Sequence, residues 1–170
     1  MKPRPWRTAL RNGLQFGLVS AVGYLIGLGV GKALHSNSPA IGALWCAIAA
    51  MSVLQDTFSA ARGAARGQIV GTGIGAMISA LYLQVLSYSG IGLAVCIGAT
   101  VLACHLTRFA EDSRSAAINV AVIMIISSQH PDLNPFANAA LRFLEACMGT
   151  VASIVVMYLW YRQRYLRQTD

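Results

Sequence analysis

Two residues near the end of the chain carry the sharpest chemical signal. Arg142 and Glu145 stand three apart inside an otherwise apolar stretch, one helical turn from each other and therefore on one face of a helix. An ionisable group inside a membrane is costly to keep there, so each is a functional candidate. The pair has two readings: a gate or protonatable carboxylate near the outer end of the last helix, or a structural ion pair that locks this helix against its neighbours. A second polar group, Gln55, Asp56, Arg62 and Arg66, surrounds the connection between the second and third apolar stretches. A third, Arg108, Glu111, Asp112 and Arg114, surrounds the connection between the fourth and fifth. If the two connections converge, their arginines form a positive vestibule that concentrates an anionic solute. The other reading is positive charge held on one side by topology, with local salt bridges. His105, one turn before Arg108, is either a proton relay or an interfacial histidine hydrogen-bonded to a neighbour.

The other chemistry-bearing residues form no catalytic pattern. There is no His-Glu-x-x-His, no nucleophile elbow and no pair of catalytic carboxylates, so neither an enzyme nor a cofactor is expected. Cys46, Cys96, Cys104 and Cys147 each sit in an apolar stretch without Cys-x-x-Cys spacing, which reads as small buried side chains rather than metal ligands. Gly27-Leu28-Gly29-Val30-Gly31 and Gly71-Thr72-Gly73-Ile74-Gly75 superficially resemble phosphate-binding loops. Both miss the G-x-G-x-x-G spacing and neither follows a strand.

The elements that must position these groups are membrane helices. Of 170 residues, 56% are apolar and 11% charged, more apolar surface than a soluble domain of this length can hide. Crossing a hydrocarbon core takes about 20 apolar helical residues. Six apolar stretches, some of them short, stand out at about 13–34, 40–58, 67–86, 90–107, 115–128 and 140–161, and are expected to form a single all-α transmembrane domain with no separate soluble part. The first, Leu14 to Leu34, is too long for a signal-peptide core and is expected to remain as a helix.

The net charge of +7 is spread in small groups and reads as a topology signal, not as a nucleic-acid surface. Eleven of the 13 basic residues fall on one side if the chain crosses six times, with only Lys32 and Arg142 on the other. Cytoplasmic loops retain Lys and Arg, so both termini are expected in the cytoplasm. Trp6, Trp160, Tyr161 and Tyr165 stand where interfacial anchors belong. Gly23, Gly27 and Gly31, like Gly67, Gly71 and Gly75, recur every fourth residue, and such stripes let helix backbones approach closely in lipid. Val70-Gly71-Thr72 after Arg66 is echoed by Met148-Gly149-Thr150 after Arg142, three helices later. A duplicated unit of three helices would be inverted in the membrane, as in many transporters.

The segments Ala43-Leu44-Trp45, Met51-Ser52-Val53-Leu54-Gln55-Asp56-Thr57, then Arg62, Arg66 and Ile69-Val70-Gly71-Thr72-Gly73-Ile74-Gly75-Ala76 resemble the fusaric-acid-resistance-protein-like (FUSC) group of aromatic acid exporters. There a tryptophan opens the second helix, Leu-Gln-x-Thr ends it, and Arg followed by Gly-Thr-x-x-Gly opens the third. Arg142-Phe143-Leu144-Glu145 with Gly149 is similar to an Arg-x-x-Glu-x-x-x-Gly stretch of the sixth helix. The resemblance implies a bacterial inner-membrane exporter or channel for organic, aromatic carboxylic acids. It places Gln55, Arg66, Arg142 and Glu145 on the family's recurrent polar positions. Family exporters usually carry cytoplasmic domains and often two six-helix units, so a single unit is expected to form a homo-oligomer or to pair with another membrane subunit. The rival expectation is a non-transporting scaffold or regulator that binds partner helices through the glycine seams.

Overall fold

The computed structural model describes residues 5–34, 39–107, 113–130 and 134–169. Among them are six helices and no strand: α1 (Pro5–Leu34), α2 (Pro39–Val53), α3 (Phe58–Val85), α4 (Gly90–Leu106), α5 (Ser113–Gln129) and α6 (Pro135–Thr169). Arg108, Glu111 and Asp112, half of the expected vestibule, lie outside the described residues.

Several helices start or stop away from the expected boundaries, for identifiable reasons. The apolar run ending the second stretch continues to Phe58, but α2 stops at Val53. Thr57 adopts an extended conformation and its side chain accepts from the Ala60 N–H, so it caps the start of α3. Helix α3 therefore begins at Phe58 rather than 67, and Arg62 and Arg66 belong to its first turns. Arginine is a good helix former, so these charges mark no break in the helix. The Asn134 side chain accepts from the N–H groups of Phe136 and Ala137 at 2.9 and 3.3 Å, and Pro135 takes the first helical position, where no N–H is needed. Helix α6 thus starts at Pro135 rather than 140 and runs on to Thr169.

Among the described residues, three spans are long and apolar enough to cross a membrane: Ala9–Ala33, Phe58–Val85 and Pro135–Arg162. The apolar helices Pro39–Val53 and Gly90–Leu106, of 15 and 17 residues, reach about 22 and 25 Å at the α-helical rise, less than the ~30 Å hydrocarbon core.

Contacts run from α1 to α2, from α2 to α6, from α6 to α3, from α3 to α5 and from α5 to α4, with α1–α6, α3–α4, α2–α3 and α5–α6 contacts beside them. Exchanging α1, α2 and α3 for α4, α5 and α6 leaves this set unchanged among the described residues. Two units of three helices therefore grip each other through α3 and α6. Each unit's long third helix packs against the second helix of the other unit.

The glycine seams sit at these grips. A Cβ on Gly27 would stand 2.6 Å from the Cys46 Cβ and 2.7 Å from the Ala43 Cα, so α1 meets α2 nearly backbone to backbone. At Gly75 the same atom would stand 2.7 Å from the Ala116 carbonyl oxygen of α5, and at Gly149 it would collide with the Cys46 carbonyl oxygen of α2. Gly71 is buried in α3. Gly29, by contrast, has nothing within 4 Å. Replacing Gly27 by Leu should therefore abolish most of the folded, monodisperse yield from detergent, since overpacking by even a methyl group or two costs about 1–3 kcal/mol. Gly29→Leu should behave as wild type. Equal yields for the two variants would place the α1–α2 seam elsewhere.

Candidate functional site

The earlier start of α6 moves Arg142 and Glu145 inward. Counted from Pro135, they lie about 10 and 15 Å along the axis at 1.5 Å per residue, beyond the first two turns of the helix rather than within them. They are 2% and 1% exposed, and the Arg142 Nη1 meets the Glu145 Oε2 at 2.8 Å. The Trp45 indole N–H of α2 donates to the Arg142 carbonyl oxygen at 3.2 Å. The Glu145 Oε1 rests against Gly42 of α2, where a Cβ would collide with it. It finds no hydrogen-bond donor among the described residues. Two opposite charges are therefore seated against α2 in an enclosure made possible by a missing side chain.

The pair belongs to a longer polar face. Asn138, Arg142, Glu145, Thr150 and Ser153 are all buried and follow the spacing of one side of α6. They extend over about 22 Å of the helix axis. At the upstream end the Asn138 Nδ2 donates to the Ser127 Oγ of α5 at 2.8 Å and to the Ile123 carbonyl oxygen at 3.3 Å. Ser127 also lines a cavity of about 500 Å³ with Gln84, Ser87, Tyr88 and Ser128. At the downstream end the hydroxyls of Thr150 and Ser153 have no partner among the described residues.

A second polar cavity, of about 150 Å³, lies at the other end of α3, lined by Asn12, Gln15, Phe16, Leu54, Gln55 and Asp56. Gln15 is 9% exposed, and its Nε2 donors are unpartnered among the described residues. The Tyr161 hydroxyl of α6 donates to the Asp56 carbonyl oxygen and ties that corner to α6. An unsatisfied buried polar group costs about 1–3 kcal/mol.

The expected site residues fall into two groups. Arg142 and Glu145 are together. Gln55 lies beyond the end of α2, exposed beside Asp56, and it lines the smaller cavity with α1 residues rather than with arginines of α3. Arg62, Arg66, His105 and Arg114 are exposed. Among the described residues, no group of three or more His, Cys, Asp or Glu is placed to hold a metal ion.

Several polar contacts carry no charge and escaped the sequence reading. The Asn119 Nδ2 of α5 donates to the Thr72 Oγ1 of α3 at 2.8 Å, and the Ser115 hydroxyl donates to the Gln68 Oε1. The α3–α5 grip is thus tied by neutral pairs, where the corresponding α6–α2 grip holds the ion pair. Asn138 was findable, because it stands four residues before Arg142 on the same face. It was missed because the helix was expected to start after it.

Removing one partner of a buried ion pair leaves the other charge stranded, at a cost of about 3–5 kcal/mol, whereas replacing both with apolar groups is often close to neutral. Arg142→Met and Glu145→Met should each lower the thermal midpoint in detergent sharply, and the double variant should recover most of the loss. Additive losses would show that the two charges do not stabilise each other.

No curated protein and no solved structure matches the chain. A family model, described as fusaric acid resistance protein-like, matches residues 18–156, a stretch that covers α2 to α5, most of α1 and α6, and the whole polar face of α6. The chain is a membrane protein of the fusaric-acid-resistance-protein-like family.

Proposed function

We propose that the chain is an inner-membrane exporter or channel of a bacterium for organic, aromatic carboxylic acids, working as a homo-oligomer or with a partner membrane subunit. The observation that carries this reading is the buried Arg142–Glu145 pair in a chain of a family associated with membrane transport or resistance. Arginine is the residue suited to a planar carboxylate, which it binds through two parallel hydrogen bonds. Polar cavities toward both ends of α3 and the buried polar face of α6 support this reading; on it, the solute is handed along that face. The chain crosses the membrane six times with both termini in the cytoplasm, and its two units are inverted relative to each other. In that orientation the smaller cavity, with Gln55, opens toward the cytoplasm. Arg62 and Arg66 then project around this entrance and draw anions to it by long-range attraction. The scaffold reading uses the same glycine seams but needs no polar face.

Benzoate flux in proteoliposomes tests the reading. Changing both Arg62 and Arg66 to Gln should slow flux severalfold at low ionic strength and much less at high salt, where steering is already screened. Lys at both positions should keep most of the steering. Protein level and orientation must be measured alongside, with reporter fusions expected inside after residues 60 and 112 and outside after residues 36 and 132. Wild-type protein that is correctly inserted but carries no benzoate would leave the scaffold reading in place.

A further inference from the structure

We propose that the seat beside Arg142 holds one carboxylate at a time, either that of Glu145 or that of the solute, so that each organic anion bound there is accompanied by one proton taken up by Glu145. This rests on the transport reading above and adds its coupling ion. The starting point is geometric. Glu145 offers one oxygen to Arg142 at 2.8 Å, while the other lies against Gly42 with no donor among the described residues. The carboxylate thus depends on a single cation. Both residues are almost fully enclosed, so neither charge is relieved by bulk solvent.

The helices packed on α6 bring no replacement cation. Between Arg11 and Lys32, α1 has only the exposed Tyr24 as an ionisable side chain; α2 presents Cys46, a thiol. Helix α3 has no ionisable side chain between Arg66 and Tyr82, and α5 has none after Arg114. On α6 itself the nearest addition is Cys147, again a thiol. Among the described residues, one positive charge is therefore available to this enclosure. A solute anion placed on Arg142 beside an ionised Glu145 would leave the enclosure with a net negative charge and no cation to meet it, which the membrane interior penalises heavily.

The exchange balances without any other reactant. As the solute carboxylate forms its ion pair with Arg142, the Arg142–Glu145 pair breaks and Glu145 takes a proton from water on the polar face, becoming a neutral acid. The net charge of the enclosure stays at zero. On release, Glu145 returns the proton to water and closes on Arg142 again. The α2 glycine leaves room for the carboxyl group in either state. The linkage has a definite sign. Rising pH favours ionised Glu145, which competes with the solute, so apparent affinity should fall with pH. One linked proton gives a fall of about tenfold per pH unit once Glu145 is ionised in the free protein.

The test is isothermal titration of the purified full-length chain with benzoate and with benzenesulfonate, each in two buffers of different ionisation heat. Benzenesulfonate stays ionised at any working pH, so a proton taken up with it must reside on the protein. About one proton per bound anion is expected for both ligands. In Glu145→Gln the uptake should vanish and affinity should become independent of pH. The wild-type stoichiometry decides the matter even if that variant fails to fold. Benzenesulfonate binding without proton uptake, or uptake that persists in Glu145→Gln, would overturn the coupling and leave the transport reading standing. Absence of binding by either anion, together with absence of benzoate flux, would remove both.

Discussion

A pair of opposite charges inside an apolar bundle is the constraint around which the rest of this fold is arranged. Arg142 and Glu145 are almost fully enclosed and away from bulk solvent, so each needs the other and both need a close wall. Helix α2 supplies that wall. Gly42 clears the space for the carboxylate, Trp45 fixes the arginine's backbone, and the Cys46 carbonyl region meets Gly149 one turn further along α6. Helix α2 can lie so close to α6 only because α1 supports it from behind, and α1 does so through Gly27, with no side chain in between. Small residues on both faces of one 15-residue helix therefore position the charged site.

The matched contacts of the two three-helix units give this arrangement a plainer counterpart. Where α6 lays its own ion pair against α2 and is held there by the Trp45 indole and close glycine contacts, α3 grips α5 through Thr72–Asn119 and Gln68–Ser115. Neutral pairs between helices hold a seam together at modest energy and have no charge to exchange. One plan of packing thus serves two purposes, a structural seam in the first unit and a charged seam in the second.

Much of this was legible beforehand. The spacing of Arg142 and Glu145 identified the pair, because three residues is one helical turn and charge is rare in such a stretch. The glycine periods marked helix seams, and six apolar stretches gave six helices. Other features were hidden for physical reasons. Periodicity separates apolar from polar stretches, but a helix leaving lipid does not have to end. Hence α3 carries Arg62 and Arg66 as helical residues, and α6 begins five residues early on an Asn-Pro start. That shift alone sets the Arg142–Glu145 pair seven and ten residues into the helix rather than in its first two turns. The association of Gln55 with Asn12 and Gln15 joins elements forty residues apart, and no local pattern encodes it. The neutral pairs were invisible because Thr, Ser, Asn and Gln are unremarkable until their burial is known.

The central claim is that water and small anions reach the Arg142–Glu145 pair along α6. Single cysteines at Asn138 and Ser153, on either side of the pair, in a background lacking Cys46, Cys96, Cys104 and Cys147 test it most directly. The account expects both to react with a membrane-impermeant thiol reagent added to the aqueous phase, and expects benzoate to slow the reaction at both. Cysteines that stay unreactive at both positions in folded protein would contradict it.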